Sequence, residues 1–315
     1  MDWQKIWMYI CTSYPDMHAE REYLMKEVEP ELSAWCRERK LELHMVDLRR
    51  GISPEDAEYN GRALRVCLEN IDKCRPFFVG FLGQHRGWIP TEEDIDGGLL
   101  KEYEGLAECL GEYSLQELEI MHGMLKPLKK GKQRSTRGLL YTRSDDFHRE
   151  VLKENPKLKP LYTNEPFKKT LFSKEQRANN DAQAAFLKEA EKQVTVVRYQ
   201  GRWDRMMPSP ELKDYYGRDL SQGRLHDFSI LGKSLKDHLI AHMKTEIIRE
   251  YPERKEVIEK IATDRPAKDW QEQECFYRRA LSKCIGAGVP EDVLEACLKQ
   301  PAGCRIVVSS RSGIG

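Results

Sequence analysis

Phe77-Phe78-Val79-Gly80-Phe81-Leu82 is the stretch on which the fold turns. It is apolar throughout, has the length of a strand rather than a helix, and shows the unbroken apolarity of a strand covered on both faces. Working outward, the chain alternates. Upstream, Leu64, Leu68 and Ile71 recur at helical spacing, and Leu43 to Val46 is a second strand candidate. Before these, Leu24, Val28, Leu32 and Trp35 mark a helix behind a first strand, Ile6-Trp7-Met8-Tyr9-Ile10. Downstream, Leu118, Met121 and Leu125 mark a helix with Ser114 as its N-cap and Glu117 at the capping-box position. Gly138 to Thr142 and Val194 to Val197 read as the fourth and fifth strands. This alternation predicts an α/β fold, a mostly parallel five-stranded sheet with helices on both faces.

Ligands of such sheets sit beyond the carboxyl ends of the strands. Here those ends carry Thr12 and Ser13, then Asp47 and Arg49, then Gly83 to Trp88, then Arg143. Two segments interrupt the alternation: a basic loop from Lys126 to Arg137, expected to be exposed, and a charged insert at about 144–193 ending in a long surface helix. Leu225 to Tyr251 carries Leu231, Leu235, Leu239 and Met243 and reads as a helix closing an α/β domain over residues 1–250. Residues 251–300 are charged and helical in pattern, broken at Pro266 and at Gly286 to Pro290, and read as a linker.

Lys+Arg and Asp+Glu are both 52 in 315 residues, so no basic field draws the chain to nucleic acid or to anionic lipid. The nine cysteines form no CxxC pair, which argues against a disulfide framework or a zinc site and fits a reducing cytoplasm. No apolar run reaches the ~18 residues of a membrane span.

The end of the chain suggests nucleotide chemistry. Ile306-Val307-Val308 is a strand candidate running into Ser309-Ser310-Arg311-Ser312-Gly313-Ile314-Gly315. A P-loop is a strand, then GxxxxGK[ST], then a helix. In that register Gly315 is the second motif glycine, Gly313 lies within the loop, and the first motif position is Ser310, a departure from the pattern. Residues 301–315 are thus expected to begin a P-loop domain cut short before its lysine, with a flexible Ser/Gly tail as the alternative. The longer protein would bind ATP or GTP with magnesium, while this stretch alone would hold no nucleotide firmly.

Five motifs, in order, resemble one known domain. Cys11-Thr12-Ser13-Tyr14-Pro15-Asp16-Met17-His18-Ala19-Glu20-Arg21 is similar to its opening SSTFxDMxxER, and Asp47-Leu48-Arg49-Arg50-Gly51-Ile52 to its DLRWGI, with Arg50 for Trp. Val66 to Ile71 resembles its xCLxEI helix. Leu82 to Pro90 resembles LGxRYGWxP, with Arg86 for Tyr, and Ser114 to Ile120 resembles SxTExEI, with Gln116 for Thr. The family is the TIR-like domain that stands ahead of NACHT-type STAND NTPases in telomerase-associated vault, nephrocystin and NACHT–WD-repeat type proteins. The resemblance implies a flavodoxin/TIR-like fold. It also implies a signalling or protein-interaction role in immune or scaffold signalling, with partners or self-association through this domain. A second reading is an NAD-cleaving effector, and a third is an unrelated nucleotide-binding domain.

The resemblance also suggests candidate site residues. Glu117 and Glu119 lie on the helix where TIR domains that cleave NAD carry a glutamate, a chemistry in which a carboxylate steadies an oxocarbenium-like centre. Against this, Glu117 suits a capping box and Glu119 a helix face. Asp16 suits a helix N-terminus, and Arg21 either pairs with a carboxylate such as Asp47 or Glu119 or touches a ligand. Arg49 and Arg50 form either an assembly loop or an anion site. Gly83 and Trp88 lie in the loop after the third strand, where Trp88 either stacks on a base or anchors the loop. His85 has no partner motif, and Cys11 reads as buried.

Overall fold

The computed structural model describes residues 2–13, 16–48, 60–95, 97–129, 136–144, 153, 173–213 and 219–256. The chain begins with β1 (Gln4–Thr12), then α1 (His18–Tyr23), which continues through a π-turn into α2 (Glu29–Arg37), and then β2 (Leu41–Val46). It goes on through α3 (Asn60–Cys74), β3 (Phe77–Leu82), α4 (Gly97–Glu102), α5 (Leu115–Ile120) and β4 (Arg137–Arg143). The last elements are α6 (Ser173–Gln193), β5 (Val196–Lys213), β6 (Asp219–Ile230), β7 (Lys233–Ser234) and α7 (Leu235–Glu250).

One sheet holds seven strands in the order β2-β1-β3-β4-β5-β6-β7. The first five are parallel neighbours, in the order 2-1-3-4-5 of flavodoxin-like sheets. β6 and β7 then pair antiparallel, so the sheet is mixed and seven-stranded, not the parallel five expected. The strands missed were β6 and the two-residue β7. Leu225, Phe228, Leu231 and Leu235 recur at three- and four-residue intervals, which reads as a helix, yet only residues from Leu235 onward are helical. The cause is an irregularity in the β5–β6 ladder: Gln200 faces Ser229 and Arg202 faces His226, with Asp227 at φ 52° between them. The extra residue on β6 lets Leu225 and Phe228, three apart, both point into the core and breaks the strand's period of two.

Both faces of the sheet are covered. Ile6, Met8, Ile10, Val79 and Phe81 pack against α1–α2 and α7. Tyr9, Cys11, Phe78 and Leu140 pack against Ile71 of α3, Ile120 of α5 and Phe186 of α6. A third cluster fills the connection between β3 and α5, where Leu99, Tyr103 and Leu106 pack on Leu64 and Leu68 of α3. Leu128 belongs to it and is buried, so the start of the basic loop is anchored rather than exposed as expected.

Gly138 allows β4 to close on β3, since a Cβ there would stand 1.7 Å from the Phe78 carbonyl oxygen. α7 is tied to the start of β4 by Arg137, whose Nε donates to Glu250 at 2.8 Å. After α7, Arg254 donates from Nη2 to the Asp2 carbonyl at 2.9 Å and from Nη1 to the Arg39 carbonyl at 3.3 Å. The far end of the described chain thereby returns to the amino ends of β1 and β2.

Arg49 and Arg50, most of the insert and of the 251–300 linker, and Ser310, Gly313 and Gly315 lie outside the described residues.

Candidate functional site

In a sheet of order 2-1-3-4-5 the ligand crevice lies at the carboxyl ends of β1 and β3, where the strand order reverses. In this chain that crevice is filled by its own side chains. β1 ends at Thr12, and α1 starts at His18, so the turn between them delivers Ser13 and Asp16 above the sheet. Asp16 presses against β3 at Gly83, where an added Cβ would meet Asp16 Oδ2 at 2.1 Å. Only glycine leaves room for that carboxylate. Ser13 Oγ donates to the Asp16 carboxylate.

Arg143, at the end of β4, is the centre of the cluster. Its Nε donates to Glu20 Oε1 at 2.6 Å and its Nη1 to Asp16 Oδ2 at 3.0 Å, and Nη2 reaches the Asp16 carbonyl. Tyr199 of β5 donates its hydroxyl to the same Glu20 oxygen at 2.8 Å. The Arg143 side chain is 1% exposed, and those of Asp16 and Glu20 are fully buried. One planar guanidinium thus bridges two carboxylates taken out of water, a geometry lysine cannot reproduce. Burial drives the Asp16 carboxyl up, against the pull of Arg143. Burial would also weaken the charge of Arg143, but Glu20, Tyr199 and Asp16 hold its pKa well above the ordinary range. The second Glu20 oxygen, Oε2, is buried without a hydrogen-bond partner among the described residues.

Arg21 extends the cluster toward β2. It donates to the Ser13 carbonyl at 2.6 Å and stands 3.9 Å from Asp47, one of the two carboxylates its sequence position suggested. A cavity of about 190 Å³ opens beside this pair, between Leu24 and Met45. From the other side, Gln183 of α6 donates to the Gly83 carbonyl at 2.8 Å and seals the end of β3.

Glu117 and Glu119 lie on α5, and Trp88 lies in the loop that leads to it. Ser114 Oγ accepts the Glu117 N–H, and Glu117 Oε2 accepts the Ser114 N–H at 2.6 Å, a capping box. Arg86 donates to the same Glu117 oxygen at 3.0 Å. Glu117 and Glu119 are each 1% exposed. Trp88 is half-buried, and its carbonyl accepts the Leu115 N–H at 2.8 Å, so this loop position holds the base of α5. Cys11 is buried in the core. Among the described residues, no group of three or more His, Cys, Asp and Glu side chains could hold a metal ion.

Sequence reasoning placed Ser13, Gly83 and Arg143 at strand ends and Asp16 and Arg21 at the opening of the first helix, but missed that Arg143 joins Asp16 to Glu20. It also missed Tyr199. Nothing local marks these pairings, which span 123 residues for Arg143–Glu20 and 179 for Tyr199–Glu20.

The molecule is thus an α/β protein whose strand-end crevice is closed by an internal ion cluster. The chain is similar to telomerase protein component 1 of Mus musculus, 34% identical over 145 residues, 46% of this chain and 5% of that protein. It is also similar to NACHT and WD repeat domain-containing protein 2 of Mus musculus, 31% identical over 116 residues, 35% of this chain and 6% of that protein. A third relative is tetratricopeptide repeat protein 41 of Rattus norvegicus, 29% identical over 119 residues, 34% of this chain and 9% of that protein. The chain therefore spans less than a tenth of the length of these three relatives. No family model matches it, and no solved structure matches it. No described helix is long and apolar enough to cross a membrane.

Proposed function

We propose that the chain is a TIR-like protein-interaction module of a larger cytoplasmic scaffold or signalling protein of the NACHT NTPase type. The observation that carries this reading is the closed crevice. At the position where an α/β sheet takes its ligand, Arg143 is bound by Asp16 and Glu20 and shut off from water. Glu117, which a glycosidase-like reaction would need exposed, is buried in a capping box with Arg86 on its carboxylate. Its relatives, large proteins named for repeats, for a NACHT domain or as a telomerase component, support a scaffold setting. In that setting ATP or GTP with magnesium would serve the NTPase of the longer protein, and this body would supply protein contacts. Those contacts are to protein partners or to further copies of the chain, with no part for nucleic acid or membrane.

The test has two arms. Tagged chain is expected to retain a discrete protein that binds again, in fixed ratio, when both are purified. Incubated with NAD at high protein concentration, the chain is expected to release no nicotinamide. Nicotinamide release that is lost in Glu117→Gln or Glu119→Gln would overturn the reading in favour of an NAD-cleaving effector.

A further inference from the structure

β6 and β7 are joined by two residues, Leu231 and Gly232, with Ile230 paired to Lys233. Both turn residues have positive φ, 49° and 79°. This is the mirror-image turn that hairpins favour, and its first position normally holds Asn, Asp or Gly. Leucine is disfavoured there because its Cβ crowds the following carbonyl in the left-handed conformation. Nor does its side chain pack against the described residues, being 98% exposed. A solvated leucine held in an unfavourable backbone conformation is what a contact outside the chain would account for.

Beside this turn runs a groove of about 570 Å³ between the first helix and the β6–β7 hairpin, with Gly232 and Lys233 on its lip. Tyr23, Leu225 and Phe228 line it, the Tyr23 ring tilted against Phe228 with centroids 4.9 Å apart. The groove is apolar only at its floor and charged at its rim, so an apolar knob beside it makes the self-complementary patch that a two-fold interface requires. The charges on the rim agree. Lys26 is paired with Glu22, and Lys236 with Glu31. Glu27 on the helix side and Lys233 on the turn side are exposed, and neither forms an ion pair among the described residues. We propose that a second copy of the chain docks here. Leu231 of each copy seats against the partly buried Tyr23 in the groove of the other, and Lys233 of each faces Glu27 of the other. This rests on the reading of the chain as a protein-interaction module and names its partner as itself.

Light scattering over a dilution series of the full chain tests it. The chain is expected to be a dimer at high concentration. Leu231→Asn suits the turn and so keeps the fold, which thermal unfolding verifies, but it is expected to weaken the dimer on the order of 100-fold, as two buried leucines are lost. Lys233→Glu and Glu27→Lys are each expected to be monomeric through like-charge contacts. Their equimolar mixture is expected to form heterodimers, because each contact again joins opposite charges. A dimer that survives Leu231→Asn, or a mixture that stays monomeric, overturns the proposal. A wild-type chain that is monomeric throughout overturns it too, while leaving standing a module that binds a different protein.

Discussion

The guanidinium of Arg143 and the carboxylate of Glu20 meet at 2.6 Å across 123 residues, both buried, and join the end of β4 to the first helix. A buried ion pair adds little net stability over an apolar packing of the same shape, but removing one partner strands a charge in the interior. Arg143→Met leaves Asp16 and Glu20 uncompensated and is expected to cost about 3–5 kcal/mol in denaturant unfolding. Arg143→Lys is expected to recover only part of that, because an ammonium cannot bridge both carboxylates. A loss under about 1 kcal/mol for Arg143→Met would show that the cluster does not brace the fold.

Acid should destabilise the protein through His122 and Asp72. His122 Nδ1 accepts the Leu128 N–H at 3.0 Å, so the ring is neutral with its proton on Nε2, which lies 2.9 Å from Asp72 Oδ1. Burial lowers His122 below its ordinary pKa. Burial alone would raise Asp72, but hydrogen bonds from His122 and Tyr103 outweigh it and hold the carboxyl at about 2. In both cases the unfolded chain takes up the proton first. The stabilisation is therefore present above the unfolded pKa values, roughly 6.5 for His and 3.9 for Asp, and is lost as pH falls through the folded ones. Asp16, raised by burial, works in the opposite direction and softens the loss. Denaturant midpoints measured through the acid range should fall, and His122→Gln should flatten the step nearest neutrality. A His122→Gln profile identical in shape to wild type would count against this assignment.

Gly138→Ala should disrupt the sheet. Its Cβ would stand 1.7 Å from the backbone oxygen of Phe78, which belongs to the adjacent strand and cannot rotate away. The expected loss is about 3 kcal/mol or more, read as a drop in melting temperature or in soluble yield. Gly111→Ala makes the contrast: no atom stands within 4 Å of its Cβ, and the cost there comes only from a φ of 76°.

The thiols among the described residues should be silent in the native state. Cys11, Cys36, Cys67, Cys74 and Cys109 are all buried, and burial pushes the Cys74 thiol up to about 12. Thiolate is the reactive form, so a thiol-specific dye should label these five positions only on unfolding. Peptide mapping of the labelled native protein would expose any exception.

What could be read from the sequence was what is written locally. The five parallel strands are runs of apolar residues, and the Ser114–Glu117 box is spelled out within four positions. β6 escaped because its bulge turns a period of two into a spacing of three, which imitates a helix. The strand-end residues were legible as a set of positions, since any parallel sheet gathers its ligand site there. Their mutual pairing was not, because Arg143, Glu20 and Tyr199 meet only once two strands and a helix are assembled.

The Arg254 clasp bears on how the body can be carried. By bonding to the carbonyls of Asp2 and Arg39, it sets the last described turn beside the first described residue. A body entered and left at one point behaves as a side-loop on its polypeptide. It can be spliced between two segments without pushing them apart, and its ends can be joined by a short linker with new ones opened elsewhere. A circular permutant joined in this way should keep the seven-stranded sheet.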